Sequence, residues 1–167
     1  MHETVEQFFS ASTTDVTGFN AWAERMKPAA KADHICYKCE SHEEFVALRA
    51  LLEPWAPFLY QSMIAGRPIA IVKLATPITT ALGEIWFLEL SDQKPDKSQA
   101  SGFDHIEIYP DEGTMEQLAQ FLETTGQTFD KVVRPHHTTY DAVIHGAFKV
   151  RLEEEPLIVK IMRDEMR

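Results

Sequence analysis

Along the chain, the spacing of apolar and polar residues changes period in a fixed order. Apolar and polar residues alternate in "DHICYKC" and "RPIAIVKLA", whereas "SHEEFVALRALLEPW" places Phe45, Leu48, Leu51 and Leu52 on one helical face. Ser41 followed by Glu44 forms a capping start for that helix, and Pro54 stops it. The patterns predict strands over 33–39, 58–64, 67–75 and 84–90, with a turn at Ala65-Gly66 and a helix over 42–53. The polar stretch "SDQKPDKSQASG" then interrupts the chain. After it the order begins again, with strands over 103–109, 129–134, 140–145 and 147–153. The second helix is predicted over 113–125, with Met115, Leu118, Phe121 and Leu122 inward and Gly126 ending it. "TVEQFFS" and "TGFNAWAERMK" read as short helices packed outside the repeat.

The chain is therefore a β-α-β-β-β unit written twice. Asp33-His34-Ile35 recurs as Asp104-His105-Ile106, and the apolar helix positions recur 70 residues later. Each half ends on a Leu-Glu pair, Leu88-Glu89 and Leu152-Glu153. The expected fold class is α+β, with two βαβββ repeats forming an open, eight-stranded, barrel-like sheet and extra N-terminal helices. A single domain is expected: helices over 1–31, a first repeat over 32–91, a linker over 92–102 and a second repeat over 103–167.

Composition narrows the function. The chain has 167 residues, 44% of them hydrophobic and 25% charged, the balance of an ordinary globular domain. A formal net charge of −10 argues against nucleic acid and acidic membranes as partners. "PIAIVKLATPI" is broken by Lys73 and Pro77, so no apolar run reaches bilayer length, and "MHETVEQFF" lacks the features of a signal peptide. The expected location is the cytoplasm.

Side-chain parity then selects the candidate chemistry. Cys36 and Cys39 have C-x-x-C spacing, but on a strand they point to opposite faces and cannot grip one ion. Two free thiols are expected. A helix must cover one sheet face, which suits Ile35, Tyr37, Ile106 and Ile108. The opposite face receives His34, Cys36, His105, Glu107, Glu89 and Glu153. If the halves curl around a pseudo-twofold axis, the paired residues His34, Glu89, His105 and Glu153 converge. Two imidazoles and two carboxylates can bind a divalent ion, with Zn, Ni, Co and Mn all compatible. Arg67 and Lys73 have cavity-facing parity and are candidates for binding a substrate carboxylate or phosphate; alternatively, Arg67 caps the turn and Lys73 ends at the rim. Arg151 shares parity with Glu153 and is read as neutralising it. His136, His137 and His145 read as exposed loop histidines, and Met26, Met63, Trp22, Trp55 and Trp86 as packing residues.

The duplication, with His on each first strand and Glu on each last, resembles the vicinal oxygen chelate superfamily, which includes glyoxalase I. Within it, "ADHICYKC", "MIAGRPIAIVKL" and "FDHIEIYP" resemble segments of the YecM proteins, over residues from about 31 to 155. The resemblance maps the superfamily's metal positions onto His34, Glu89, His105 and Glu153. One His and one Glu per half is closer to the isomerase, epimerase and glyoxalase arrangement than to that of the extradiol dioxygenases. The resemblance implies a divalent metal acting as a Lewis acid on two neighbouring oxygens of a small substrate, with Glu153 as the base. The competing function is a non-catalytic small-molecule-binding protein of the bleomycin-resistance type. Members of that kind usually lack the metal ligands.

Overall fold

The computed structural model describes residues 2–135 and 137–166. Two helices come first, α1 (Val5–Ser10) and α2 (Thr13–Met26). The first repeat comprises β1 (Ala30–Lys38), α3 (His42–Leu52), β2 (Leu59–Ile64), β3 (Arg67–Thr80) and β4 (Gly83–Ser91). The second comprises β5 (Gly102–Pro110), α4 (Met115–Thr124), β6 (Asp130–Val133), β7 (Thr138–His145) and β8 (Phe148–Leu152), and α5 (Leu157–Glu165) follows.

All eight strands join one sheet in the order β2-β3-β4-β1-β5-β8-β7-β6. Read from either edge, that order is the same sequence of second, third, fourth and first strand of a repeat. The sheet is therefore pseudo-twofold about the antiparallel β1–β5 seam, and each half pairs its first and last strands in parallel.

Local chemistry sets the elements. The Ser41 hydroxyl accepts from the Glu44 amide at 3.1 Å, and Thr114 and Gln117 form a full capping box on α4. Ala65 and Gly66 both have positive φ, 51° and 78°, which gives the β2–β3 turn the twist a tight hairpin needs. Phe45, Leu48 and Leu52 from α3 and Met115, Leu118 and Leu122 from α4 bury against the face carrying Ile35, Tyr37, Ile106 and Ile108. Phe8 of α1 packs its ring against Tyr37 and Phe103 across the seam.

Several elements depart from expectation. Strand β3 continues through Pro77 to Thr80, because the pairing of β3 with β4 slips between Lys73 and Ile78, where the missing N–H costs no ladder bond. Phe121 is 47% exposed and Met63 65%, so neither packs inward. Trp86 lies under the Lys73 ammonium, 4.4 Å from the ring centroid, rather than beneath a helix. Helix α5 is an addition to the expected elements: Leu157, Ile158, Ile161 and Met162 recur at helical spacing, yet it buries no residue fully. Among the described residues, no helix is long and apolar enough to cross a membrane.

Candidate metal centre

Register across the seam builds the centre. On the face away from α3 and α4, His34 stands directly opposite Glu107, and Cys36 opposite His105. The parallel partners extend these pairs into two rows, Glu89–Cys36–His105–Lys149 and Phe87–His34–Glu107–Arg151. The pseudo-twofold exchanges the rows. It relates His34 to His105 and Cys36 to Glu107, and it relates Glu89 to Arg151.

The two histidines are held alike. His34 Nδ1 lies 2.7 Å from Asp33 Oδ2, and His105 Nδ1 lies 2.7 Å from Asp104 Oδ2. An aspartate on Nδ1 fixes the ring and turns Nε2 into the centre. Asp33 is itself pinned by the Leu157 amide at the start of α5, at 2.9 Å, and Asp104 by the Lys38 ammonium at 2.8 Å. His34 is fully buried and His105 is 1% exposed. Donor atoms of His34, His105 and Glu107 all lie within 4.8 Å of one another.

These groups perturb one another strongly. Burial alone would lower the His34 pKa, but Glu107, Asp33 and Glu89 together raise it well above the ordinary imidazole value. His34 Nε2 lies 3.3 Å from Glu89 and 3.7 Å from Glu107. The Glu107 contact is too long for a hydrogen bond and the Glu89 contact is poorly aligned for one, leaving Nε2 a buried polar atom without a hydrogen-bond partner. Burial and the Arg151 charge depress His105 to about 4, so its Nε2 carries a lone pair, which faces Arg151 Nη1 at 3.3 Å. Burial pushes Glu107 up to about 7, with Glu153 and Glu89 adding to the rise against His34. Burial opposes the ionisation of Glu89 too, but its contact with His34 prevails and holds it below the usual carboxylate range.

Of the expected site residues, the structure brings His34, His105 and Glu89 together and adds Glu107. Glu153 follows the end of β8 and is not among the three clustered donors, although its charge reaches Glu107. One of its oxygens binds Lys160 Nζ of α5 and the other lies 3.6 Å from His137. The equivalence of Leu88-Glu89 with Leu152-Glu153 is two residues out of register: Ile35 pairs with Leu88, and its counterpart Ile106 pairs with Val150. The counterpart of Glu89 is therefore Arg151, whose guanidinium binds Asp141 with two bonds of 2.9 and 2.8 Å. Arg151 thus neutralises Asp141 rather than Glu153. Lys73 faces the same side as His34 but rests on the Trp86 and Phe87 rings, and buried Arg67 Nε has no hydrogen-bond partner. Neither contacts the cluster.

Both cysteines are free and buried. Cys36 packs beside the Glu89 carboxylate at 3.6 Å, while Cys39 belongs to the helix-covered core. His137, in the loop before β7, and His145 are both exposed, as expected, and His137 Nε2 lies 3.6 Å from Glu153. His136 lies outside the described residues.

Comparison with known proteins places the chain. Residues 9–157 match the YecM protein family. The chain belongs to that family. It is 32% identical over 77 residues to Protein YecM of Escherichia coli (strain K12), in a match covering 46% of this chain and 41% of that protein. The matched region thus spans about two fifths of that relative. A solved structure titled "Structural Genomics, Protein EC4020" superposes with a TM-score of 0.75 at 21% identity, covering 98% of this chain and 93% of that one, and shares the fold. A methylmalonyl-CoA epimerase in complex with methylmalonyl-CoA and NH4+ overlays more loosely, with a TM-score of 0.45 at 15% identity over 74% of this chain and 93% of that one.

In this member of the YecM family the donor set fits a divalent cation. Two imidazole nitrogens and a carboxylate face one point, and the partnerless His34 Nε2 is among them. Ligand bonds of about 2.0–2.2 Å require donor separations of up to about 4.4 Å, slightly closer than the present spacing allows at its widest. Without a cation the buried carboxylates are compensated by a proton on His34, the same electrostatic demand met in another way.

Proposed function

We propose that this YecM-family protein is a metal-dependent enzyme of the isomerase, epimerase or lyase type, acting on a small substrate with two neighbouring oxygens. The observation that carries the reading is the partnerless Nε2 of His34 facing His105 and Glu107 inside a fold with twofold-related halves. His34, His105 and Glu107 would hold the ion, which when bound supplies Lewis acidity toward paired oxygens.

The chain's own groups divide the remaining work. Asp33 and Asp104 orient the two imidazoles. Glu89 is the carboxylate with access to solvent, its side chain 19% exposed against 7% for Glu107. Its Oε1 accepts from the Ser91 hydroxyl at 3.0 Å, which leaves Oε2 facing the centre. Glu89 Oε2 is therefore assigned as the atom that accepts a proton from the substrate carbon and returns it. Glu153, the base implied by the superfamily resemblance, is engaged by Lys160.

Zinc-loaded protein should catalyse exchange of a carbon-bound hydrogen for deuterium in small vicinal-oxygen compounds, followed by proton NMR in D2O. Glu89→Gln should abolish exchange while retaining zinc. Exchange that survives in Glu89→Gln and is lost in Glu153→Gln would transfer the role to Glu153. A wild-type protein that takes up no zinc would overturn the reading as a whole.

A further inference from the structure

We infer that Arg151 is the anion clamp of this site and that the substrate is a small 2-hydroxy or 2-oxo carboxylate. This rests on the metal-dependent reading above and goes further by naming the substrate class. The pseudo-twofold puts a carboxylate, Glu89, on one wall of the centre and a guanidinium, Arg151, on the other. These walls, with side chains 19% and 17% exposed, are the edges of the centre that reach solvent.

The Arg151 guanidinium is already oriented. Nε and Nη2 are spent on Asp141, which fixes the plane, and Nη1 donates to His105 Nε2 at 3.3 Å. His105 Nδ1 faces Asp104, so Nε2 is the lone-pair nitrogen and a true acceptor. A cation on that lone pair takes away the only acceptor that Nη1 has among the described residues. Its N–H groups are then left aimed at the edge of the coordination sphere, partly buried and unpaired. An oxygen of the substrate must replace the lost acceptor, and a charge-assisted bond favours a carboxylate.

The positions define the ligand. One carboxylate oxygen and the oxygen on the adjacent carbon are the vicinal pair, and the second carboxylate oxygen meets Nη1 of Arg151. Such a molecule would lie between the two walls, with its 2-carbon on the side of Glu89. Lysine could not serve equally, because the fork that binds Asp141 is what aims the third nitrogen.

The test uses glycolate and its neutral counterpart glycolamide, which share the same pair of oxygens. Binding to zinc-loaded protein is measured by calorimetry, beside zinc binding itself. Wild type should bind glycolate roughly tenfold or more tightly than glycolamide, and Arg151→Met should largely erase that preference while zinc uptake is retained. Because Arg151→Met leaves Asp141 unpaired, Arg151→Gln with Asp141→Asn provides a folded alternative and should lose the preference likewise. A glycolate preference unchanged in both variants overturns the clamp and leaves the metal reading standing. Wild-type protein that takes up no zinc overturns both.

Discussion

At the residue scale, the chemistry depends on how two buried imidazoles are presented. Asp33 and Asp104 each fix a histidine through Nδ1, so their loss should be felt at the metal. Asp33→Asn and Asp104→Asn should each weaken zinc binding about 10–100-fold, read by competition with a chelating dye. Equal affinity in both would show that the aspartates do not orient ligands. A second prediction concerns His42, whose Nδ1 lies 2.6 Å from the buried Asp92 carboxylate. The hydrogen bond to Asp92 and its charge raise the His42 pKa above its ordinary value. Because the folded value is raised, the stabilisation is complete below the unfolded pKa of about 6.5 and is lost as pH rises through the folded value. NMR titration should show the His42 midpoint falling in Asp92→Asn. The stability difference between the two proteins should shrink as pH rises through the wild-type midpoint, and a constant difference would contradict the pairing.

At the element scale, most of the architecture was legible because each local signal agreed with its neighbours. Alternating runs gave β1 and β5, and capping residues marked α3 and α4. Elements whose signals conflict were less legible. The strand expected over 67–75 runs on through Pro77 to Thr80, because the register slip that accommodates the proline depends on β4. Helix α5 has apolar positions but no deep burial, and what ties it down is polar: the Leu157 amide on Asp33 and Lys160 on Glu153. Packing between distant elements was not readable either. Gly18 of α2 faces His145 of β7 so closely that an added Cβ would lie 2.7 Å from the His145 Cβ. Gly18→Ala, although better for helix propensity, should destabilise the protein by about 1–3 kcal/mol in denaturant unfolding. An increase in stability would mean that α2 yields without cost.

At the scale of the whole molecule, the duplication made the histidines visible and also misplaced one carboxylate. Matching Asp33-His34-Ile35 to Asp104-His105-Ile106 located the seam, and parity put Glu107 on the correct face. Matching Leu88-Glu89 to Leu152-Glu153 followed letters rather than register, and the register assigns Arg151 to that place. The halves have therefore diverged in charge across a preserved axis, one wall acidic and the other basic, a difference that only strand pairing reveals. The central claim is that His34, His105 and Glu107 bind one divalent ion at that axis. Zinc titration by calorimetry on wild type and on His34→Ala, His105→Ala, Glu107→Ala and Glu153→Ala tests it most directly. The account predicts one ion per chain in wild type, its loss in both histidine variants, marked weakening in Glu107→Ala and near-wild-type affinity in Glu153→Ala. Unchanged affinity in both histidine variants would contradict it.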